Sequence, residues 1–303
     1  MEESISIENL KQHIGNIHYD RNPYDHPVQL EQAGQYIKEE FLKTGMEVEE
    51  DGFEWKDGIY KNIVAKKRGT TSPETVLILG AHYDTARGSP GADDNASAIA
   101  VLLEVARSIQ PLSLASTVKL IAFSLEEVDD GGSTHYAEKA KREGEKILGM
   151  ISLETVGFTG PDQRYPSFFN PKYYPNVGDF IGVIGNEKSA VLLEEVKKFF
   201  KKYVPGLPAE FFIVPGNGEK TAEARLSDHT PFWDRGFPAL LVTDTAFMRN
   251  PHYHRPSDTM ETLNFDFMKK VATGIFFSIA EMAGWIQCEE EPAATPFFLN
   301  RGL

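Results

Sequence analysis

Four short segments place imidazole or carboxylate groups where a buried strand or tight turn should end: Gly80-Ala81-His82-Tyr83-Asp84-Thr85, Gly91-Ala92-Asp93-Asp94-Asn95-Ala96-Ser97, Phe123-Ser124-Leu125-Glu126-Glu127 and Ile151-Ser152-Leu153-Glu154-Thr155. A fifth, Pro251-His252-Tyr253-His254-Arg255-Pro256-Ser257-Asp258-Thr259, adds an imidazole far downstream. The donors are nitrogen and oxygen, with no thiolate. Imidazole and carboxylate together suit a hydrolytic zinc centre, where they hold the metal and leave a position for water. The chemistry this implies is cleavage of an amide bond by a metal-activated water.

Each segment also has an ordinary explanation. His82 and Asp84 form a His-x-Asp pair. A metal-bound imidazole commonly donates its second N–H to a carboxylate, and Asp84 is spaced for that part, but such a pair alone carries little weight. Asp93 and Asp94 are adjacent acids in a glycine-flanked turn, and adjacent acids repel unless a cation neutralises them. Helix N-capping accounts for one of them. Of Glu126 and Glu127, one can bind metal while the other takes a proton from the attacking water. The rival explanation is a solvated acidic loop, since Asp129 and Asp130 follow. Glu154 alone reads as an exposed strand end. His252 competes with His254, Asp258 is an orienting partner for either, and Ser227-Asp228-His229 serves as a helix cap, a support for a ligand, or both. Jointly the set suffices for two metals bridged by one carboxylate, about 3.5–4 Å apart.

Elements must bring these residues together. Apolar periodicity predicts a helix over 28–44, with Leu30, Ala33, Ile37, Phe41 and Leu42 on one face and Gly45 as its stop. Strands are expected over 46–55 and 59–67, joined through Asp57-Gly58. The continuous apolar run 75–81 fits a strand buried on both faces. A helix over 96–109, a strand over 117–124, a helix over 133–142 and a strand over 147–154 follow. Then come a helix over 187–202, strands over 209–214 and 238–243, and a long helix over 263–285. Strands alternating with helices imply an α/β fold whose site forms at the carboxyl ends of the strands, where His82, Glu126, Glu127 and Glu154 fall. Residues 157–180, rich in Pro, Gly, Tyr and Phe, form an irregular insertion. Its aromatic part, Tyr165 to Tyr174 with Phe168 and Phe169, is expected to wall a substrate pocket.

The chain has 303 residues, enough for one sizeable α/β domain, and no linker or repeat divides it. A net charge of −14 argues against nucleic acid and anionic membranes as partners. The single cysteine, Cys288, allows no internal disulfide, and no leader or membrane-spanning run is visible. A cytoplasmic location is therefore expected.

The five motifs, in this order, resemble the co-catalytic zinc aminopeptidase family, which includes secreted bacterial leucyl aminopeptidases and has glutamate carboxypeptidase and single-zinc glutaminyl cyclases as relatives. The similarity runs from about Leu30 to Ala283. It implies a three-layer α/β/α domain with a mixed, mainly parallel sheet of about eight strands, antiparallel strands at one edge coming from 46–67. It implies two zinc ions, with His82 on one, His254 on the other, and Asp94 rather than Asp93 as the bridge. A cis peptide often follows that aspartate in the family, here Asp94–Asn95. Glu127 and Glu154 match ligands, the latter in a position often held by Asp, and Glu126 matches the general base. Two departures stand out. Asp129 occupies a place that is usually glycine, and no tyrosine stands beside Ser227-Asp228-His229, where an oxyanion donor is often found. The activity implied is an exopeptidase, foremost an aminopeptidase acting on peptide or aminoacyl substrates. A carboxypeptidase or deacylase on the same core remains open, with Arg164, Arg249 and Arg255 as possible carboxylate partners. So does a glutaminyl-cyclase-like acyltransferase, against which His82 argues. A non-catalytic binding module would have lost ligands that this chain keeps.

Overall fold

The computed structural model describes residues 4–56, 58–166 and 171–285. Its centre is one eight-stranded sheet: β1 (Glu47–Trp55), β2 (Gly58–Lys67), β3 (Ser72–His82), β4 (Ser116–Phe123), β5 (Lys146–Glu154), β6 (Ile181–Asn186), β7 (Ala209–Val214) and β8 (Ala239–Thr243). The spatial order is β1-β2-β4-β3-β5-β8-β6-β7. Strands β4, β3, β5 and β8 run parallel. Antiparallel pairs join β1 to β2 and β2 to β4 at one side, as the 46–67 hairpin predicts. At the other side β6 runs antiparallel to β8 and parallel to β7.

Strand alternation divides the core between two faces. Ile63, Ala65, Leu77, Leu79, Leu120 and Leu153 belong to the larger core. It is completed by helices α1 (Ile7–Ile17), α2 (Pro27–Lys43), α3 (Ala98–Ile109), α5 (Ala190–Tyr203) and α7 (Phe265–Met282). Val64, Val76, Ile78, Ile121 and Phe123 face α4 (Gly131–Glu143) and α6 (His229–Asp234). The result is the expected three-layer α/β/α arrangement. Two elements lie outside the sequence reading, α1 and β6. Residues 157–180 contain no strand or α-helix among those described, in keeping with an irregular insertion, and Phe168 and Phe169 lie outside the described residues.

The layers fix where the site must form. His82 ends β3 and pairs with Phe123, which ends β4. Gly80 pairs with Ser152, two residues before Glu154 at the end of β5. Beyond β4 the chain turns tightly. Leu125, Asp129 and Asp130 take left-handed backbone at φ 64°, 80° and 50° around Glu126 and Glu127. Asp129 therefore adopts the conformation for which glycine is the usual choice, and the turn shape survives the substitution. Asn62 of β2 clamps this turn, accepting from the Ser124 amide at 3.1 Å and donating to the Gly132 carbonyl at 3.0 Å. A β-carbon on Gly132 would stand 2.3 Å from Asn62 Oδ1 and 2.4 Å from the Ser124 carbonyl oxygen. Gly132→Ala should therefore cost about 1–3 kcal/mol of stability in denaturant unfolding. Gly206→Ala, whose methyl meets nothing within 4 Å, should stay within about 0.5 kcal/mol of the parent. Equal stabilities for the two variants would contradict this account of the turn.

Candidate metal centre

The strand ends and three loops bring His82, Asp94, Glu126, Glu127, Glu154 and His254 into one cluster. His82 Nε2 is 3.3 Å from Asp94 Oδ1, 3.3 Å from Glu154 Oε2 and 3.8 Å from Glu126 Oε2. His254 Nε2 is 3.0 Å from Asp94 Oδ2 and 3.2 Å from Glu127 Oε2. The two oxygens of Asp94 thus face different imidazoles. Two sets of atoms close enough to share one ion each result: His82 with Glu126 and Glu154, and Asp94 with Glu127 and His254.

Two observations test whether cations fit. Ligands about 2.0–2.1 Å from a tetrahedral zinc stand about 3.3 Å from one another, close to the separations found here. Both ring nitrogens of His82, both carboxylate oxygens of Asp94 and Glu127 Oε1 are buried without a hydrogen-bond partner. Orphaned polar atoms of this kind are costly unless a cation or another partner satisfies them.

The electrostatics agree. Burial lifts Glu127 to about 7, assisted by Asp94. Burial also raises Glu126 and Glu154, outweighing the pull of His82. Burial alone would push both imidazoles down. Glu154 and Glu126, with Asp84 and Asp94, instead carry His82 well above its ordinary value, and Asp94 and Glu127 carry His254 to about 10. Without metal, protons take over the neutralising role that cations would fill.

The supporting shell differs from the expectation for the orienting carboxylates. Asp84 stands 3.6 Å from His82 Nδ1, longer than a hydrogen bond. Its two oxygens instead accept from the backbone amides of Glu126 (3.0 Å) and Glu127 (3.1 Å). Asp258 does not orient His254. It accepts from the amides of Asp93 (3.0 Å) and Asp94 (3.2 Å). Each acidic pair is thus held by one carboxylate gripping two consecutive amides. Asp93 turns away from the cluster to the Gly157 amide and the Asn250 side chain. Asp94 is followed by the expected cis peptide to Asn95. The Asn95 side chain donates to Leu153 O and accepts from the Thr155 amide, bracketing Glu154. Ser227 Oγ donates to Glu154 Oε2 at 2.9 Å, whereas Asp228 makes no side-chain cap to α6. Burial pushes His229 down to about 4, and its Nε2 faces the Ala224 carbonyl. His252 faces Ser257 and stays outside the cluster, leaving His254 as the downstream imidazole.

A tyrosine does stand beside the cluster, Tyr253, next to His254 rather than near Ser227. That ring stacks on His254 with centroids 3.8 Å apart. It also lines a cavity of about 920 Å³, open mouth included, together with Glu126 and Glu154. Burial and the surrounding carboxylates raise Tyr253, so it remains a proton-bearing phenol. The rest of the cavity is mostly apolar, with Phe180, Ile184, Phe212, Leu226 and Leu241 among its walls, and Tyr165 and Pro166 of the aromatic insertion reach it as well.

Comparison with known proteins places this geometry in context. Residues 62–278 match the model described as peptidase family M28. The uncharacterized protein YfbL of Escherichia coli K12 is 35% identical over 271 residues, covering 81% of this chain and 78% of that one. A probable leucine aminopeptidase of Arthroderma otae is 28% identical, over 84% of this chain, and the alignment spans 64% of that relative's length. The LapA aminopeptidase of Legionella pneumophila shares the fold, with a TM-score of 0.73 at 19% identity, over 94% of this chain and 74% of that one.

The metal-free centre should titrate visibly. Glu127 at about 7 contributes stability that is whole below the ordinary carboxylate value and lost as pH rises through 7. His254 contributes stability that is whole below the ordinary imidazole value and lost as pH rises through about 10. Both act with the same sign, so chelated protein should melt lower at about pH 8 than at about pH 5.5. Added zinc should raise the melting temperature more at the higher pH, because ligands must shed protons to bind. A chelated protein that gains thermal stability across this interval contradicts the description.

Proposed function

The chain belongs to peptidase family M28, and on that premise we propose that it is a zinc-dependent aminopeptidase that removes N-terminal residues from peptides. The observation that carries the choice of peptide end is the charge of the cavity. Glu126, Glu154 and Glu223 border it, and among the described residues no Arg or Lys lines it. A substrate ammonium suits that surface, whereas a terminal carboxylate would need a cation. The three arginines weighed for a carboxypeptidase are not among the described lining residues, although two of them bond to residues that are. Arg249 donates to the Phe180 carbonyl and to Gln163, Arg164 donates to the Phe247 carbonyl, and Arg255 is exposed. Asp94 faces both imidazoles and so completes three donors around each, with His82 and Glu154 on one side and His254 and Glu127 on the other, which supports this reading over a single-zinc glutaminyl cyclase.

In this proposal His82 and Glu154 would hold one zinc, His254 and Glu127 the other, and Asp94 would serve both. Bound zinc supplies Lewis acidity and lowers the pKa of water at the site. Glu126 is the general base, taking a proton from the attacking water and passing it to the departing amine. Tyr253, keeping its proton, would donate a hydrogen bond to the oxygen that gains charge. Asp84 positions Glu126 and Glu127 through their amides. The apolar wall takes the side chain of the N-terminal residue, and the aromatic insertion from Tyr165 onward contributes to it. We read residues 1–303 as one catalytic domain. No described helix is long and apolar enough to cross a membrane, and the cytoplasmic reading rests on the lone cysteine.

Glu126→Gln should keep two zinc equivalents and lose about 10²–10⁴-fold in turnover. Glu127→Gln should lose metal affinity first. Near-normal kcat in Glu126→Gln contradicts the assignment of the base. On a substrate panel, leucyl and phenylalanyl anilides should be cleaved and their N-acetyl forms refused. Cleavage of the blocked forms at comparable kcat/KM would favour a deacylase or endopeptidase instead.

A further inference from the structure

The segment Asp20-Arg21-Asn22 lies outside the residues 62–278 that match the family, yet it grips the loop that spaces His82 from Asp94. Arg21 is buried completely. Among the described residues its guanidinium meets carbonyl oxygens and no carboxylate. Nε donates to Tyr83 O at 2.6 Å, Nη1 to Ile17 O at 2.7 Å, Tyr19 O at 3.1 Å and Pro90 O at 3.0 Å, and Nη2 to Gly91 O at 3.3 Å. Its backbone amide donates to Thr85 Oγ1 at 3.0 Å. On one side Asp20 accepts from the Gly88 amide at 2.9 Å, and on the other Asn22 donates to Thr85 O at 3.0 Å. Three consecutive residues therefore hold the loop at positions 83, 85, 88, 90 and 91.

That loop has little room to adjust. Gly91 has φ 61°, and a β-carbon there would stand 2.3 Å from Asp94 O and 2.4 Å from Thr85 Cγ2. Burial of an unpaired cation is costly, and it pulls Arg21 down to about 10. Asp84, Asp94 and Asp258 act in the opposite direction. The arginine in turn favours the charged form of Asp258. A planar fork with five donors can span these carbonyls, and a lysine ammonium cannot.

We propose that Asp20-Arg21-Asn22 is a positioning clasp for the metal centre, fixing the separation of His82 and Asp94 so that a cation seats between them. The proposal rests on reading those two residues as metal ligands. The test compares zinc affinity of the chelated full-length chain with that of its Arg21→Lys and Asn22→Ala variants, by competition with a chromophoric chelator. The melting temperature of each metal-free protein is measured alongside, with kcat and KM at limiting and at excess zinc. Arg21→Lys should weaken at least one of the two zinc equivalents by about 10–100-fold, as loss of groups that orient ligands does. It should lower kcat at limiting zinc with KM unchanged, and excess zinc should restore kcat. Asn22→Ala should show the same pattern more weakly, and it decides the matter if Arg21→Lys does not fold. Variants with parental affinity for both equivalents and only a lower melting temperature overturn the clasp. A parent chain that binds no zinc overturns the ligand reading itself, so the two failures are distinguishable.

Discussion

Four carboxylates and two imidazoles crowd one buried place in this protein, and neutralising that charge is the constraint on which the rest depends. Asp94, Glu127, Glu126 and Glu154 lie within reach of His82 or His254. Like charges at such distances in a poorly solvated site cannot all ionise unless cations accompany them. Burial raises Glu126, Glu127 and Glu154, the acids raise both imidazoles, and Asp94, facing both imidazoles, is held low and ionised. Orphaned atoms on His82 and Asp94 point the same way.

The fold meets this constraint by placing the acids on rigid supports and tying their backbones down. Parallel strands β3 and β5 end at His82 and Glu154, and β4 leads into the turn that carries Glu126 and Glu127. Each acidic pair then has its own clamp, Asp84 for one and Asp258 for the other, and each clamp accepts two consecutive amides. A carboxylate that binds two backbone amides both pays for its own burial and aims the side chains of the pair. Left-handed backbone at Leu125, Asp129 and Asp130 is the local cost of so tight a turn.

Much of this was legible in the sequence because buried strands and their terminal acids leave a plain pattern. The run 75–81 announced β3, and the downstream motif announced His254. The pairing of ligands followed from resemblance rather than from spacing. Helix α1 carried its own signal, since Ser6 caps it and Leu10, Ile14 and Ile17 recur on one buried face. Strand β6 carried a poor one. Gly182 and Gly185 interrupt its apolar run, yet Gly185 is needed because a β-carbon there would stand 2.8 Å from Leu240 Cδ2 of the neighbouring strand. The work of Asp258 could not be read at all. Its amide partners are 164 and 165 residues away, and only the folded chain brings them together. The place of Tyr253 was legible only in part: its neighbour His254 stood in the downstream motif, but that the phenol reaches the cavity beside Glu126 and Glu154 is a matter of folding.

The central claim is that this cluster is built for two cations sharing Asp94. Anomalous diffraction at the zinc edge, from crystals of the zinc-loaded protein, measures it directly. The account predicts two peaks, one bonded to His82 and Glu154, the other to His254 and Glu127, with Asp94 bonded to both. A single peak, or two peaks neither of which touches Asp94, would contradict it.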